Sequence, residues 1–202
     1  DIYDALRKKE TFATSGPRIK VRFFSGYEFK DSKLNDLNLI EKAYVDNLSM
    51  GSTINIEEGK KPKFLIWAIA DPLGAPLQRI QIIKGWLKNG EHKEKVFDVA
   101  CSDGLIVNSS NFRCPDNGAK VNIETCEITD NSGASELKTF WEDPDFLEDQ
   151  EAFYYVRVLE NPVCRWSTWD SIRAGVKPRS DIPSTIQERA WTSPIWFEPS
   201  NS

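Results

Sequence analysis

The sequence predicts a mainly β protein, an antiparallel β-sandwich with short flanking helices. Three observations carry that prediction. Short apolar runs recur with turn residues between them, which is the spacing of a sandwich. Several runs alternate apolar and polar residues, the period of a half-buried strand. Asn89-Gly90, set between two such runs, is a strong two-residue hairpin signal.

Taken in order, residues 1–9 read as a short helix with Ile2, Ala5 and Leu6 on one face. Residues 11–17 are a turn-rich connector. Residues 18–24 alternate, with Ile19, Val21 and Phe23 inward and Arg18, Lys20 and Arg22 outward. Residues 36–45 predict a helical insert through Leu37, Ile40, Ala43 and Tyr44. Strands are expected at 64–70, 77–86, 95–101, 119–128 and 137–141, with a turn at Asn131-Ser132-Gly133 and a polar loop over 102–118. Ser167-Thr168-Trp169-Asp170 has capping-box spacing for a helix to Ala174, stopped by Gly175. A linker over 177–183 leads to a tail holding Ile186, Trp191, Ile195 and Trp196.

The run 153–160 organises the rest. Tyr154, Val156 and Val158 point one way and Phe153, Tyr155 and Leu159 the other, so a central strand covered on both faces is expected. Arg157 and Glu160 sit within it, and Arg165 and Trp166 follow Pro162. Charges in a covered strand require partners, since an unpaired buried charge costs several kcal/mol, on the order of 3–5. The reading is either an ion-pair network reaching Glu188 and Arg189 in the tail, or the wall of a site.

Composition narrows the function. Seven Trp and eleven Phe in 202 residues allow a sizeable core, and a net charge of −5 gives no electrostatic case for nucleic acid or an anionic membrane. No apolar run approaches the roughly 20 residues of a membrane-spanning helix. The chain opens at Asp1, already in a helical pattern, so a longer parent is expected. Cys101, Cys114, Cys126 and Cys164 form no Cys-x-x-Cys pair. Two disulfides are therefore favoured over zinc, with buried free thiols as the alternative; of the three pairings four cysteines allow, Cys101–Cys114 closing a loop and Cys126–Cys164 tying two strands is the one expected. They imply a periplasmic or extracellular location.

Three blocks carry a resemblance: Ile2-Tyr3-Asp4-Ala5-Leu6-Arg7-Lys8-Lys9-Glu10-Thr11-Phe12-Ala13-Thr14-Ser15-Gly16-Pro17-Arg18; Ile80-Gln81-Ile82-Ile83-Lys84-Gly85-Trp86; and residues 153–166 together with Thr185-Ile186-Gln187-Glu188-Arg189-Ala190-Trp191. They resemble a bacterial family known only as a domain of unknown function, over nearly the whole chain. The first block is also similar to the end of metal-dependent hydrolase domains of the PHP (polymerase and histidinol phosphatase) superfamily. The resemblance implies that residues 1–17 end a PHP-like α/β barrel and that 18–202 form a carboxy-terminal β-domain, with its helical insert near 36–46 and its tail over 163–202. The divalent metal would then lie in the amino-terminal barrel, the chief partner, with none in this chain.

The residues agree with a non-catalytic role. His92 is the one histidine, beside the hairpin turn, and no His-x-His or Asp-x-His element exists. Asp143, Asp145, Glu148 and Asp149 offer hard oxygen ligands for calcium, without a calcium-loop pattern. Ser15 lies in a tight turn with no nucleophile context. Arg157, Glu160, Arg165, Trp166, Glu188 and Arg189 are the candidates for an interdomain seam or a substrate contact. The alternative class is a carbohydrate-binding β-sandwich, resting on Trp166, Trp169, Trp191 and Trp196. A homo-oligomer formed through an apolar patch is the third reading.

Overall fold

The computed structural model describes residues 1–27, 29, 34–128 and 132–200. Asn131, the first residue of the expected turn, lies outside that set. The helices are α1 (Ile2–Arg7), α2 (Leu39–Asp46) and α3 (Trp166–Ala174). The strands are β1 (Phe12–Thr14), β2 (Lys20–Gly26), β3 (Leu48–Ser49), β4 (Thr53–Ile56), β5 (Lys63–Ile69), β6 (Leu77–Lys88), β7 (Glu91–Cys101), β8 (Glu136–Glu142), β9 (Ala152–Glu160), β10 (Val163–Cys164), β11 (Thr185–Ile186), β12 (Arg189–Thr192) and β13 (Ile195–Pro199).

Two sheets enclose the core, as a mainly β sandwich requires. The seven-stranded sheet is built on β9. β6 pairs antiparallel along one edge of β9, and β7 pairs with β6. The other edge is shared: β12 takes Arg157 to Leu159, and β13 takes Ala152 to Tyr154. β1 pairs beyond β12, and β4 runs parallel to β13. The four-stranded sheet has the order β3-β2-β5-β8. Between them pack Val21, Phe23, Phe64, Ile66, Ile80, Ile82, Phe97, Tyr154, Val156, Val158, Ile195 and Phe197. On the far side of the small sheet α2 covers Phe24 and Leu65 with Leu39 and Ala43.

The hairpin forms at Asn89-Gly90, where both residues take positive φ (54° and 79°), the pair of left-handed residues a type I′ turn needs. Cys101–Cys114 and Cys126–Cys164 are both bonded. Two disulfides fit an oxidising compartment outside the cytoplasm. No helix among the described residues is long and apolar enough to cross a membrane.

Several expectations need correction. β9 is covered fully on one face alone; on the other, Tyr155, Arg157 and Leu159 are half-buried and Phe153 is 39% exposed. Residues 119–128 form no strand. They make a turn closed by one bridge, Val121 to Ile128, so the second disulfide ties a loop to β10. The asparagine- and threonine-rich sequence there satisfies itself locally: Asn122 Oδ1 accepts from the Glu124 backbone N–H at 2.8 Å. Residues 12–14, read above as part of a turn-rich connector, form β1, an edge strand of the large sheet. α2 begins at Leu39, which leaves Leu37 wholly exposed. α3 is capped by Arg165 in extended backbone and not by Ser167; Gly175 ends it at φ 64°. Asp170, expected to cap, is exposed beside Arg173.

Candidate functional site

The residues singled out in the sequence gather around the end of β9 without forming the expected Arg–carboxylate network. Arg157 Nε donates to Gln81 Oε1 at 2.7 Å, across the β6–β9 pair. Gln81 passes the chain on to Asp98 Oδ1 at 2.6 Å. Asp98 is the true charge hub: its fully buried carboxylate also accepts from Arg79 at 3.1 Å, Arg113 at 3.4 Å and the Cys114 backbone N–H at 2.7 Å. The Cys101–Cys114 bridge holds the loop that supplies Arg113 and that N–H. A carboxylate taking four donors is satisfied despite burial.

Arg165 Nε donates to the Pro183 carbonyl at 3.2 Å, and Trp166 is 73% exposed on α3. Glu188 accepts from the Ser15 hydroxyl, and that same oxygen accepts from the Arg189 N–H at 2.9 Å, clamping the 14–17 turn to β12. Arg189 donates to the Gln187 carbonyl and lies over the Trp191 ring at 5.8 Å. No side chain of Arg157, Glu160 or Arg165 pairs with Glu188 or Arg189; Glu160 meets Glu188 through the backbone alone, its N–H donating to the Glu188 carbonyl at 2.9 Å. Arg is long enough to reach several acceptors, and the antiparallel register places Trp191, not a carboxylate, opposite Arg157.

Glu160 is the residue left over. It is 1% exposed, and its Oε1 has no hydrogen-bond partner. It lies beneath the 71–75 turn, where a Cβ on Gly74 would stand 2.8 Å from Glu160 Oε1. Burial raises its carboxyl to about 7, with the neighbouring Asp71 and Glu188 carboxylates adding to the rise against an Ala75 N–H that lowers it. Beside it an amide cluster closes that end of the sandwich. Gln78 Nε2 donates to Asn117 at 3.0 Å, Asn117 Nδ2 to Asn161 at 2.9 Å, and Gln187 Nε2 to the Glu160 carbonyl at 2.9 Å.

The acidic run resolves differently from a calcium site. Lys84 Nζ donates to Asp143 Oδ2 at 2.6 Å and to the Asp145 carbonyl at 2.8 Å, and the Tyr154 hydroxyl donates to Asp143 at 2.7 Å. Lys84 is 2% exposed and Asp143 2%. Burial and the Asp143 charge push the Tyr154 phenol far above its ordinary value. Lys95 pairs with Asp145, and Glu148 accepts from the Gly59 N–H at 3.1 Å. Lysine ammonium groups thus stand where a cation would sit. Among the described residues no group of three His, Cys, Asp or Glu could hold a metal. The signal for Lys84 was present in the sequence: it has the parity of Ile80 and Ile82 in an apolar run.

Two open surfaces among the described residues carry exposed aromatic side chains. A groove of about 580 Å³ runs between α1, β1, α2 and the uncovered half of the small sheet, lined by Ala5, Phe12, Arg22, Tyr44, Met50 and Trp67 among others. Around it α1 has no buried residue, and Ile2, Tyr3 and Leu6 are 81%, 71% and 63% exposed. The second surface is the outer face of the large sheet. Phe153 and Tyr155 stack there within 17° at 6.5 Å, beside the half-buried Trp191 and Trp196. At one end this face opens into a notch that contains His92, which lies in β7 and not in the turn itself.

A family model described as "Protein of unknown function (DUF3604)" matches residues 1–199. The chain belongs to that family. The family match spans both sheets, from α1 to β13. No curated protein and no solved structure matches the chain.

Proposed function

We propose that this family member is the non-catalytic accessory domain of a PHP-like metal-dependent hydrolase, covering an amino-terminal barrel and shaping the mouth of its active site. The observation that supports it is the apolar face around the α1 groove. Ile2, Tyr3 and Leu6 on α1, Phe12 on β1, Tyr44 and Val45 on α2, and Leu48 on β3 are all large and exposed. Phe12 and Tyr44 line the groove and the others stand on the elements that border it, and exposed apolar residues grouped in this way mark an interaction surface. A six-residue helix with no fully buried residue gains little from the fold on which it stands, and burying it against a neighbouring domain gives it a reason to form. In the parent protein the barrel's divalent metal would supply an activated water for hydrolysis. This domain contributes the covering surface.

The test is hydrogen exchange on this domain with and without the separately produced barrel domain, beside ester and phosphoester hydrolysis by each. Slowed exchange at 2–12 and 44–48 on mixing, with turnover confined to the barrel, is the expected outcome. Turnover by this domain alone, or unchanged exchange at that face, would refute the reading.

The outer face of the large sheet favours a second reading, a carbohydrate-binding module. Phe153 and Tyr155 present nearly parallel rings there. Trp166 and Trp169 lie elsewhere, on α3. Retardation by an immobilised polysaccharide in affinity electrophoresis, abolished by Phe153→Ala, would support it.

A further inference from the structure

At the start of β9 the large sheet is notched. β6 runs on past it to Lys88 and β13 past it to Pro199, and the space between them is a cavity of about 400 Å³, within the usual range for small-ligand sites. Its walls are Trp86, Phe153 and Trp196. Phe153 and Trp196 are cross-strand neighbours on the outer face. Gly85 opposes Phe153 from β6, and a Cβ there would stand 2.2 Å from the Phe153 ring. Glycine is thus what lets that ring lie flat across the strand and form the floor. The rim carries three carboxylates, Glu94, Glu151 and Glu198, all exposed and none with a side-chain hydrogen bond or ion pair among the described residues. The one lysine in the lining, Lys93, is already neutralised by Glu91 at 2.6 Å.

We infer that this notch binds an organic cation, a primary or quaternary ammonium group, on its aromatic floor. The three carboxylates outnumber the one lysine near these rings that no carboxylate pairs, Lys9 over Trp196, so the notch keeps a net negative charge, which favours a cation over a neutral body of the same shape and disfavours an anion. Aromatic faces attract ammonium groups electrostatically, more strongly as water is excluded. The same rings already serve this chemistry within the chain. Lys9 Nζ lies 5.2 Å from the Trp196 centroid, and Lys84 Nζ lies 5.4 Å from that of Trp86. This site is separate from the α1 groove and does not depend on docking to a barrel.

The probe pair is choline and its uncharged isostere 3,3-dimethyl-1-butanol, titrated into the protein while tryptophan fluorescence and heat are recorded. Choline is expected to saturate in the millimolar range and to bind about tenfold more tightly than the isostere. Its affinity should fall as salt is raised, because the rim is exposed. The E94Q/E151Q/E198Q variant keeps the aromatic floor, and it should lose most of the preference while its circular dichroism is unchanged. Equal binding of the two probes by the wild-type protein, or no saturable choline signal, would overturn the assignment without recourse to any variant.

Discussion

Replacing Glu160 by Gln isolates the effect of one carboxyl buried at the end of β9. Gln keeps the shape of the neutral acid, including an oxygen for the Ala75 N–H, and cannot ionise. The unfolded chain ionises Glu160 near 4.5, whereas in the folded protein the carboxyl stays protonated up to about 7. The folded state therefore binds the extra proton between those values. Its contribution to stability is fully present below 4.5 and is lost as pH rises through 7. At about 1.4 kcal/mol per pKa unit the full effect is on the order of 3 kcal/mol, and screening by nearby solvent brings it to about 1–2 kcal/mol. Asp71 and Glu188 are the charges facing the group, and both oppose its ionisation. The assay is urea denaturation of wild type and Glu160→Gln from pH 4 to pH 8. The two proteins should be nearly equal at pH 4, and the variant more stable by about 1–2 kcal/mol at pH 8. A variant with no advantage at pH 8, or the same slope as wild type between pH 5 and 7, would refute the reasoning.

Other outcomes follow from the same structure. Asp143→Asn leaves the Lys84 ammonium buried without its carboxylate and should cost about 3–5 kcal/mol by chemical denaturation, more than Tyr154→Phe, which removes one hydrogen bond to that carboxylate worth about 1.5–3 kcal/mol. Gly85→Ala forces the Phe153 ring off its strand; a loss of about 1–3 kcal/mol is expected, with a change in near-ultraviolet circular dichroism reporting the displaced aromatics. The Cys126–Cys164 bridge spans 38 residues and Cys101–Cys114 spans 13. Serine pairs at these sites should destabilise by about 4 and about 3 kcal/mol respectively, with calorimetry ranking the longer loop first.

How much of this was legible in the sequence depends on the range of the interactions involved. Alternation over Ile19, Val21 and Phe23 and the Asn-Gly pair are local signals, and both elements formed where expected. Both disulfides formed with the pairing expected, although four cysteines allow three pairings and spacing alone does not select among them. The strands β1, β3 and β4 were not, since each has five or fewer residues and is fixed only by a partner far along the chain. The partners of the candidate residues were hidden for a related reason. Charge type along β9 was visible, but the partner of each charge is set by register, and register placed Gln81 and Trp191 opposite Arg157. Asp98 and Lys84 could have been noticed as charges at strand positions flanked by apolar residues.

The shared edge of β9 has a consequence for how the domain comes together. β12 and β13 supply everything on that side of the central strand, and through them β1 and β4 join the sheet. Thr11 accordingly bonds to Ser193, and Phe12 lies opposite Thr192. A nascent chain ending near residue 184 can form the three strands in the order β7-β6-β9 and the small sheet, but β9 then presents an open edge and β1 and β4 have nothing to pair with. Closure between such distant segments is slow, because the loop entropy is spent before any contact returns it. Until residues 189–199 arrive, that bare edge is the part of the molecule most able to recruit a foreign strand. Synthesis, refolding and chaperone dependence should all hinge on the same eleven residues.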